Sequence, residues 1–248
     1  MVKPRFFSAW FCPYAQRVWA CLNYFDVDFE LVEALGSGLE VAYTKHPELL
    51  RWNPKGLVPT LVTDKEVKCE SIDILKALYL ERYEGNDEVI SRLYDEANEW
   101  NKKICSPFYR VLMKPDQKGR EQGWKDMIDG ITAFSDRLLL QTDGSVSFYN
   151  YSGKNDSEPS LVDFAVFPFI HRLFIIEHYR RYYLVDGVSH EIHDKMERWQ
   201  AKMEALPAVA KTLADHQSLI NVYNRYADGS AQSKVGDALR QGKEAHDV

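Results

Sequence analysis

The feature that most constrains this chain is a change of period at Phe11-Cys12-Pro13-Tyr14. Before it, the short aromatic run from Pro4 to Ala9 reads as a strand; after it, Ala15, Val18, Trp19, Leu22 and Phe25 recur at the spacing of a helix buried on one side. The chain must pass from strand to helix within a tight loop. Pro13 marks the first helical turn, where its missing N–H costs nothing, so Cys12 falls at or just before the first helical position. Its sulfur then faces free N–H groups. Those donors and the helix dipole favour thiolate over thiol, which predicts a lowered pKa and a nucleophilic sulfur.

The segment that follows keeps to short elements. Phe29 to Glu33 reads as a second strand, and Gly36-Ser37-Gly38, Pro47 and Pro54 mark irregular chain around a short helical piece. Thr60-Leu61-Val62 and Val67-Lys68-Cys69 read as two strands joined by the Asp64-Lys65-Glu66 turn, and Ser71 opens a helix to about Tyr83. The order is βαβ followed by ββα. After the polar break Glu84-Gly85-Asn86-Asp87 the period is helical: Ile90, Leu93, Ala97, Trp100 and Ile104 line one long helix, and Trp124, Ile128, Ile131, Phe134 and Leu138 another.

Gln141 to Pro159 is a long polar loop of a kind that is often functional or mobile, with Phe148-Tyr149 embedded in it. Ser160-Leu161-Val162-Asp163 is a capping box, in which serine and carboxylate each take the other's backbone N–H at a helix start. That helix should carry His171 and His178 on one face and bend at Pro168. Helices from His190 to Ala205 and from Pro207 to about Tyr226 complete the body, and the polar Ala227 to Val248 is expected to fray.

Composition removes several functions. Thirty-one basic residues against 37 acidic ones, a net charge of −6, argue against a nucleic-acid partner. The longest apolar run, Phe164 to Ile170, is too short to span a bilayer and contains a proline. Four cysteines, Cys12, Cys21, Cys69 and Cys105, without a CxxC pair or a secretory leader, point to a reducing cytoplasm. The sequons at Asn150 and Asn155 are then chance matches.

The position three after Cys12, where a dithiol enzyme carries its second cysteine, is Ala15. A mixed disulfide on Cys12 therefore needs an external thiol for release. Cys21 is half a turn out of phase on the same helix; Cys69, in a strand, and Cys105, in the helical half, read as packing residues. Pro59, directly before a strand, is a candidate for a cis bond that turns the Val58 N–H and C=O towards a peptide ligand. Ser71 at a helix start offers a carboxylate site, and Glu70 can accept from an ammonium. Together these suit an α-amino acid head group.

The chain resembles the cytosolic glutathione transferases, and among them the omega class. The resemblance spans about Arg5 to Tyr226 and rests on residues 11–17, on Asn53-Pro54-Lys55-Gly56-Leu57-Val58-Pro59, on Glu70-Ser71, and on Ser160-Leu161-Val162-Asp163-Phe164 with Pro168 and Phe169. It implies an α/β thioredoxin-like N-terminal domain followed by an all-α C-terminal domain. The division expected is a glutathione-binding domain over 1–84, a linker over 85–88, helices over 89–228 and a polar tail over 229–248.

By that resemblance Cys12 is the catalytic residue and glutathione the co-substrate, with no metal. Val58 would pair with the cysteinyl backbone beside cis Pro59, Glu70 and Ser71 would hold the γ-glutamyl end, and Pro13 and Tyr14 would line the sulfur. Lys45 and His46 are both candidates for the glycyl carboxylate, and Tyr223 and Tyr226, with the helix after residue 88, for the acceptor pocket. The implied activity is thiol transfer, deglutathionylation or dehydroascorbate-type reduction, on a small hydrophobic, disulfide or thioether acceptor, by a cytoplasmic homodimer. The alternatives are glutathione conjugation or glutathionyl-ether cleavage aided by Ser8 or Tyr14, and a membrane-inserting protein resembling the intracellular chloride channels. His190 and His193 lack a third metal ligand by spacing, and Arg180-Arg181 beside Tyr182-Tyr183 is too short a cluster for nucleic acid.

Overall fold

A computed structural model describes residues 3–37, 39, 43–150 and 157–246. Most of both sequons, and residues 151–156 of the 141–159 loop, lie outside the described residues. The first third of the chain builds a mixed four-stranded sheet in the order β2-β1-β3-β4. Strand β1 (Arg5–Ser8) runs parallel to β2 (Glu30–Glu33) and antiparallel to β3 (Thr60–Val62), which pairs in turn with β4 (Val67–Lys68). The parallel pair is connected by helix α1 (Pro13–Tyr24), and α2 (Pro47–Trp52) precedes β3. Helix α3 (Ser71–Arg82) packs on α1, closing a thioredoxin-like unit over Phe6, Phe7, Val18 and Leu75.

The rest is helical. Helix α4 (Asp87–Trp100) passes through a π-helical turn (Asn101–Cys105) into α5 (Ser106–Met113), where one continuous α-helix was expected. Helix α6 (Gln117–Ser135) returns along α5. The 137–150 stretch is pinned by Ser147 N–H to Leu139 C=O (2.8 Å) and Asn150 N–H to Arg137 C=O (2.9 Å), with Phe148 and Tyr149 buried. Helix α7 (Leu161–Ile170) begins with the capping box, is buried along its whole length, and packs against α1 and α4.

Three helical expectations are corrected. The helix through His171 and His178 breaks at His171-Arg172, so His171 closes α7 while His178 belongs to α8 (Leu173–Arg180). After α9 (Leu184–Gly187) and α10 (His190–Glu204), the segment from Pro207 divides into α11 (Pro207–Ala210) and α12 (His216–Ala227). Asp215 causes that break, because its carboxylate accepts from Ser218 N–H at 2.8 Å and starts a new helix. The tail is also folded rather than frayed as far as residue 246. Ser233 caps α13 (Lys234–Arg240), Arg240 donates to the carbonyls of Gly229 and Ala231, and Ala231, Leu239 and Ala245 are buried. These apolar residues are sparse in a polar stretch, which hid their burial. Among the described residues no helix is long and apolar enough to cross a membrane.

Candidate functional site

A cavity of 630 Å³ lies between the sheet unit and the helices. Cys12 is the N-cap of α1 with extended backbone (φ −80°, ψ 118°), and its Sγ lies 4.0 Å from the Val58 carbonyl oxygen. The Val58–Pro59 bond is cis. Pro13, Tyr14, Val58, Pro59, Glu70 and Ser71 line the same cavity as Cys12. Glu70 has a positive φ (38°), uncommon for a residue with a side chain, and sits at the N-cap of α3. Burial pushes its carboxyl up, while Lys55 opposes this. The Ser71 hydroxyl accepts from Arg17 Nη1 at 3.0 Å, which leaves its proton and the helix-terminal N–H groups for a ligand.

Lys45 and His46 part company. Lys45 lines the cavity and donates to the Lys55 carbonyl at 3.3 Å, running over Gly56. The backbone there needs φ +63°, and a Cβ would sit 2.6 Å from the Lys45 Cδ and Nζ. His46 instead caps α2, its Nδ1 accepting from Glu48 N–H at 3.3 Å, and it is not among the lining residues.

The cysteine differs from expectation. Burial pushes the Cys12 thiol up, against the N–H groups of Ala15 and Tyr14 and the charges of Arg172 and Arg17, all of which pull it down. Loss of water at the sulfur outweighs the helix terminus. Cys69 falls just past β4 and lines the cavity, where a packing role was expected. Cys105 lies beneath it, its Sγ accepting from Arg17 Nη2 at 3.1 Å, and burial pushes its thiol up to about 11. Ser8 is buried in β1 without a hydrogen-bond partner for its hydroxyl among the described residues and is not a lining residue, so it offers nothing to a bound thiol.

Beyond the sulfur the cavity widens into a wall of tyrosines. Tyr223 and Tyr226 come from α12, Tyr109 from α5, Tyr94 from α4 and Tyr43 from the chain before α2. Tyr43 Oη and Tyr226 Oη are 2.7 Å apart, and Phe11 stacks on Tyr43 at 5.2 Å. Asn98 and Asn101 also contribute, as the helix after residue 88 was expected to do. The tail supplies Ser233, Lys234, Val235 and His246, which sequence reasoning missed because it expected the tail to fray. His246 is held by Ser106 at 2.5 Å between Nδ1 and Oγ.

The other clusters are accounted for locally. Arg180 donates to the Leu112 and Ala227 carbonyls, which ties one half of the basic pair into the fold. Asp194 and Glu197 do approach His193 within 4.8 Å, a grouping the histidine spacing alone had hidden, on a partly exposed face of α10.

The chain thus joins a thioredoxin-like unit, with Cys12 at the start of α1 and cis Pro59 beside it, to a helical body across the cleft. Residues 11–81 match the family model of the glutathione S-transferase N-terminal domain, so the chain carries that domain within this fold. Similar solved structures include glutathione transferase Omega 3C from Trametes versicolor, 21% identical, covering 94% of each chain, TM-score 0.71. The Tau class glutathione S-transferase of mango, Mangifera indica, is 20% identical over 91% of this chain and 99% of that one, TM-score 0.70. Rice GST1 in complex with glutathione is 16% identical over 93% and 100%, TM-score 0.72. No curated protein sequence matches the chain.

Proposed function

We propose that the protein is a glutathione-dependent thiol transferase of omega type, acting through Cys12. The observation that carries this reading is the placement of Cys12 Sγ at 4.0 Å from the Val58 carbonyl, in one cavity with cis Pro59, Glu70 and Ser71. A glutathionyl group would lie with its backbone along Val58, its γ-glutamyl end at Glu70 and Ser71, and its glycyl carboxylate at Lys45. In the first step the Cys12 thiolate attacks the glutathione sulfur of a mixed disulfide. The Cys12–S–glutathione bond forms, the old S–S bond breaks, and the leaving thiolate takes a proton from water. In the second step the thiolate of another glutathione attacks that adduct, releasing oxidised glutathione and the Cys12 thiolate. The N-terminal unit, residues 1–84, serves as the glutathione domain and residues 89–228 as the acceptor-binding one.

The deciding experiment is Cys12→Ser. The variant should retain glutathione binding by calorimetry and lose exchange with a small glutathione mixed disulfide, and wild type treated with oxidised glutathione should show one adduct, on Cys12, by mass spectrometry. Undiminished exchange in the variant rejects the reading. Conjugation of an aryl halide that persists there would move the assignment to the conjugating alternative.

A further inference from the structure

Two arginines sit under the Cys12 end of α1, each 1% exposed. Arg17 donates to the Ala165 carbonyl (2.7 Å), Ser71 Oγ (3.0 Å), Asn101 Oδ1 (2.8 Å) and Cys105 Sγ (3.1 Å). Arg172, at the corner between α7 and α8, donates to Gln16 Oε1 (2.5 Å), the Pro168 carbonyl (2.8 Å) and the Phe11 carbonyl (3.3 Å). Every one of these partners is neutral. Neither guanidinium forms an ion pair among the described residues, and Arg172 Nε is buried with no partner there. A buried cation without a counter-charge is costly, so its site favours an anion nearby.

Arg172 also grips both sides of the cysteine. Phe11 immediately precedes Cys12, and Gln16 stands one turn after it. Gln16 is fixed in turn, because its Nε2 donates to Thr212 Oγ1 (3.1 Å) and to the Thr212 carbonyl (3.3 Å), which leaves Oε1 to Arg172. We propose that Arg172 is a positioning residue for the Cys12 nucleophile: it clamps the chain on either side of the sulfur and supplies, with Arg17, the positive charge that a half-buried thiolate requires. This rests on the reading of Cys12 as the nucleophile.

The surroundings leave that role to the arginines. Tyr14 on α1, Tyr109 on α5 and Tyr223 and Tyr226 on α12 face the thiol and are held neutral by burial. His171, next to Arg172, is pushed towards its neutral form by burial and by Arg172 itself, against Glu204. Arg225 lies over the Phe11 ring at 5.8 Å, and Lys45 and Glu70 line the cavity farther along. The Cys105 thiol beneath is neutral near pH 7.

The test is the pH profile of Cys12 alkylation by iodoacetamide in the full chain, over about pH 5 to 10, read by mass spectrometry with Cys12→Ser as the control. Arg172→Gln keeps hydrogen-bonding capacity and removes the charge; its midpoint should rise by about one pH unit, about tenfold slower labelling at neutral pH, with the high-pH plateau unchanged. Arg172→Lys should stay near wild type. An unmoved midpoint in Arg172→Gln, or an equal shift in Arg172→Lys, overturns the inference. If Arg172→Gln does not fold, Gln16→Glu neutralises Arg172 in place and must raise the midpoint; no rise there overturns it equally. Absence of any Cys12 labelling in wild type would overturn the thiol-transfer reading and this inference with it, whereas labelling with unshifted variants rejects the inference alone.

Discussion

The hydroxyls of Tyr43 and Tyr226 lie 2.7 Å apart, so a single hydrogen bond ties the chain between β2 and α2 to the last turn of α12 across the mouth of the cleft. The Arg225 guanidinium covers the Tyr43 ring at 4.3 Å and holds it against that wall. Tyr43→Phe removes the bond and keeps the ring. The expected result is a rise of several-fold in acceptor KM with glutathione KM unchanged, and a stability loss of about 1 kcal/mol in urea unfolding. A double-mutant cycle with Tyr226→Phe should show coupling between the two positions; additive effects would detach the contact from acceptor binding.

Lys45 crosses Gly56 at the rim. Lys45→Ala should raise the KM for glutathione about tenfold, the scale of one charge-assisted hydrogen bond, and leave that for γ-glutamylcysteine, which lacks the glycyl carboxylate, nearly unchanged. Gly56→Ala should act in the same direction, since the added Cβ occupies the path of the lysine and the φ of +63° is strained for alanine. Equal losses on both thiols in steady-state kinetics would place Lys45 elsewhere on the ligand.

Asp163 organises the helical half. Its Oδ1 accepts from Tyr149 N–H (2.9 Å) and Trp199 Nε1 (2.8 Å), and its Oδ2 from Ser160 N–H (2.7 Å) and Ser160 Oγ (2.8 Å). Asp163→Ala strands these buried donors and should cost about 3 kcal/mol or more in chemical denaturation. Ser160→Ala, which removes the cap and one of the four donors to the carboxylate, should cost about 1 kcal/mol. If the two losses were alike, the carboxylate would be no more than a helix cap.

His171 gives the fold a pH dependence of defined sign. Burial holds its imidazole below the usual histidine range, with Arg172 adding to this and Glu204 at 2.8 Å opposing it. The unfolded chain therefore takes up a proton at higher pH than the folded one. The stability contributed is full above the unfolded histidine range and is lost as pH falls through it towards the folded value. His171→Gln should flatten the fall in Tm between about pH 7 and pH 5; an identical slope in the variant would place the sensitivity at another group.

Much of this site was legible because its residues are tied to local rules. The strand-to-helix change at Cys12, the capping box at Ser160 and Asp163, and the strand after Pro59 depend on neighbours in the chain, and the structure has each of them. What was hidden depends on distant partners. Whether the Cys12 thiol rises or falls is set by how much protein covers it, which helix-start chemistry cannot report. His46 looked equivalent to Lys45 until α2 claimed its ring as a cap. Arg172 stands 160 positions from Cys12 in sequence, and its place beneath the cleft follows only from the packing of α7 on α1.

The π-helical turn at Asn101–Cys105 makes chain length at this point a property as important as side-chain identity. A wide turn is an α-helix holding one residue more than its hydrogen bonding requires. Deleting one of the five would let α4 run into α5 with ordinary bonding and leave the downstream residues close to their present faces, because the wide turn already absorbs the rotation of the extra residue. Deleting two would exceed that allowance and rotate everything downstream by about 100°, which would turn Tyr109 off the cleft and Phe108 off the core. Lys102 and Lys103 are exposed and should accept many substitutions, and the loss of one codon there should be tolerated, whereas the loss of two should abolish the site that a dozen surface replacements would spare.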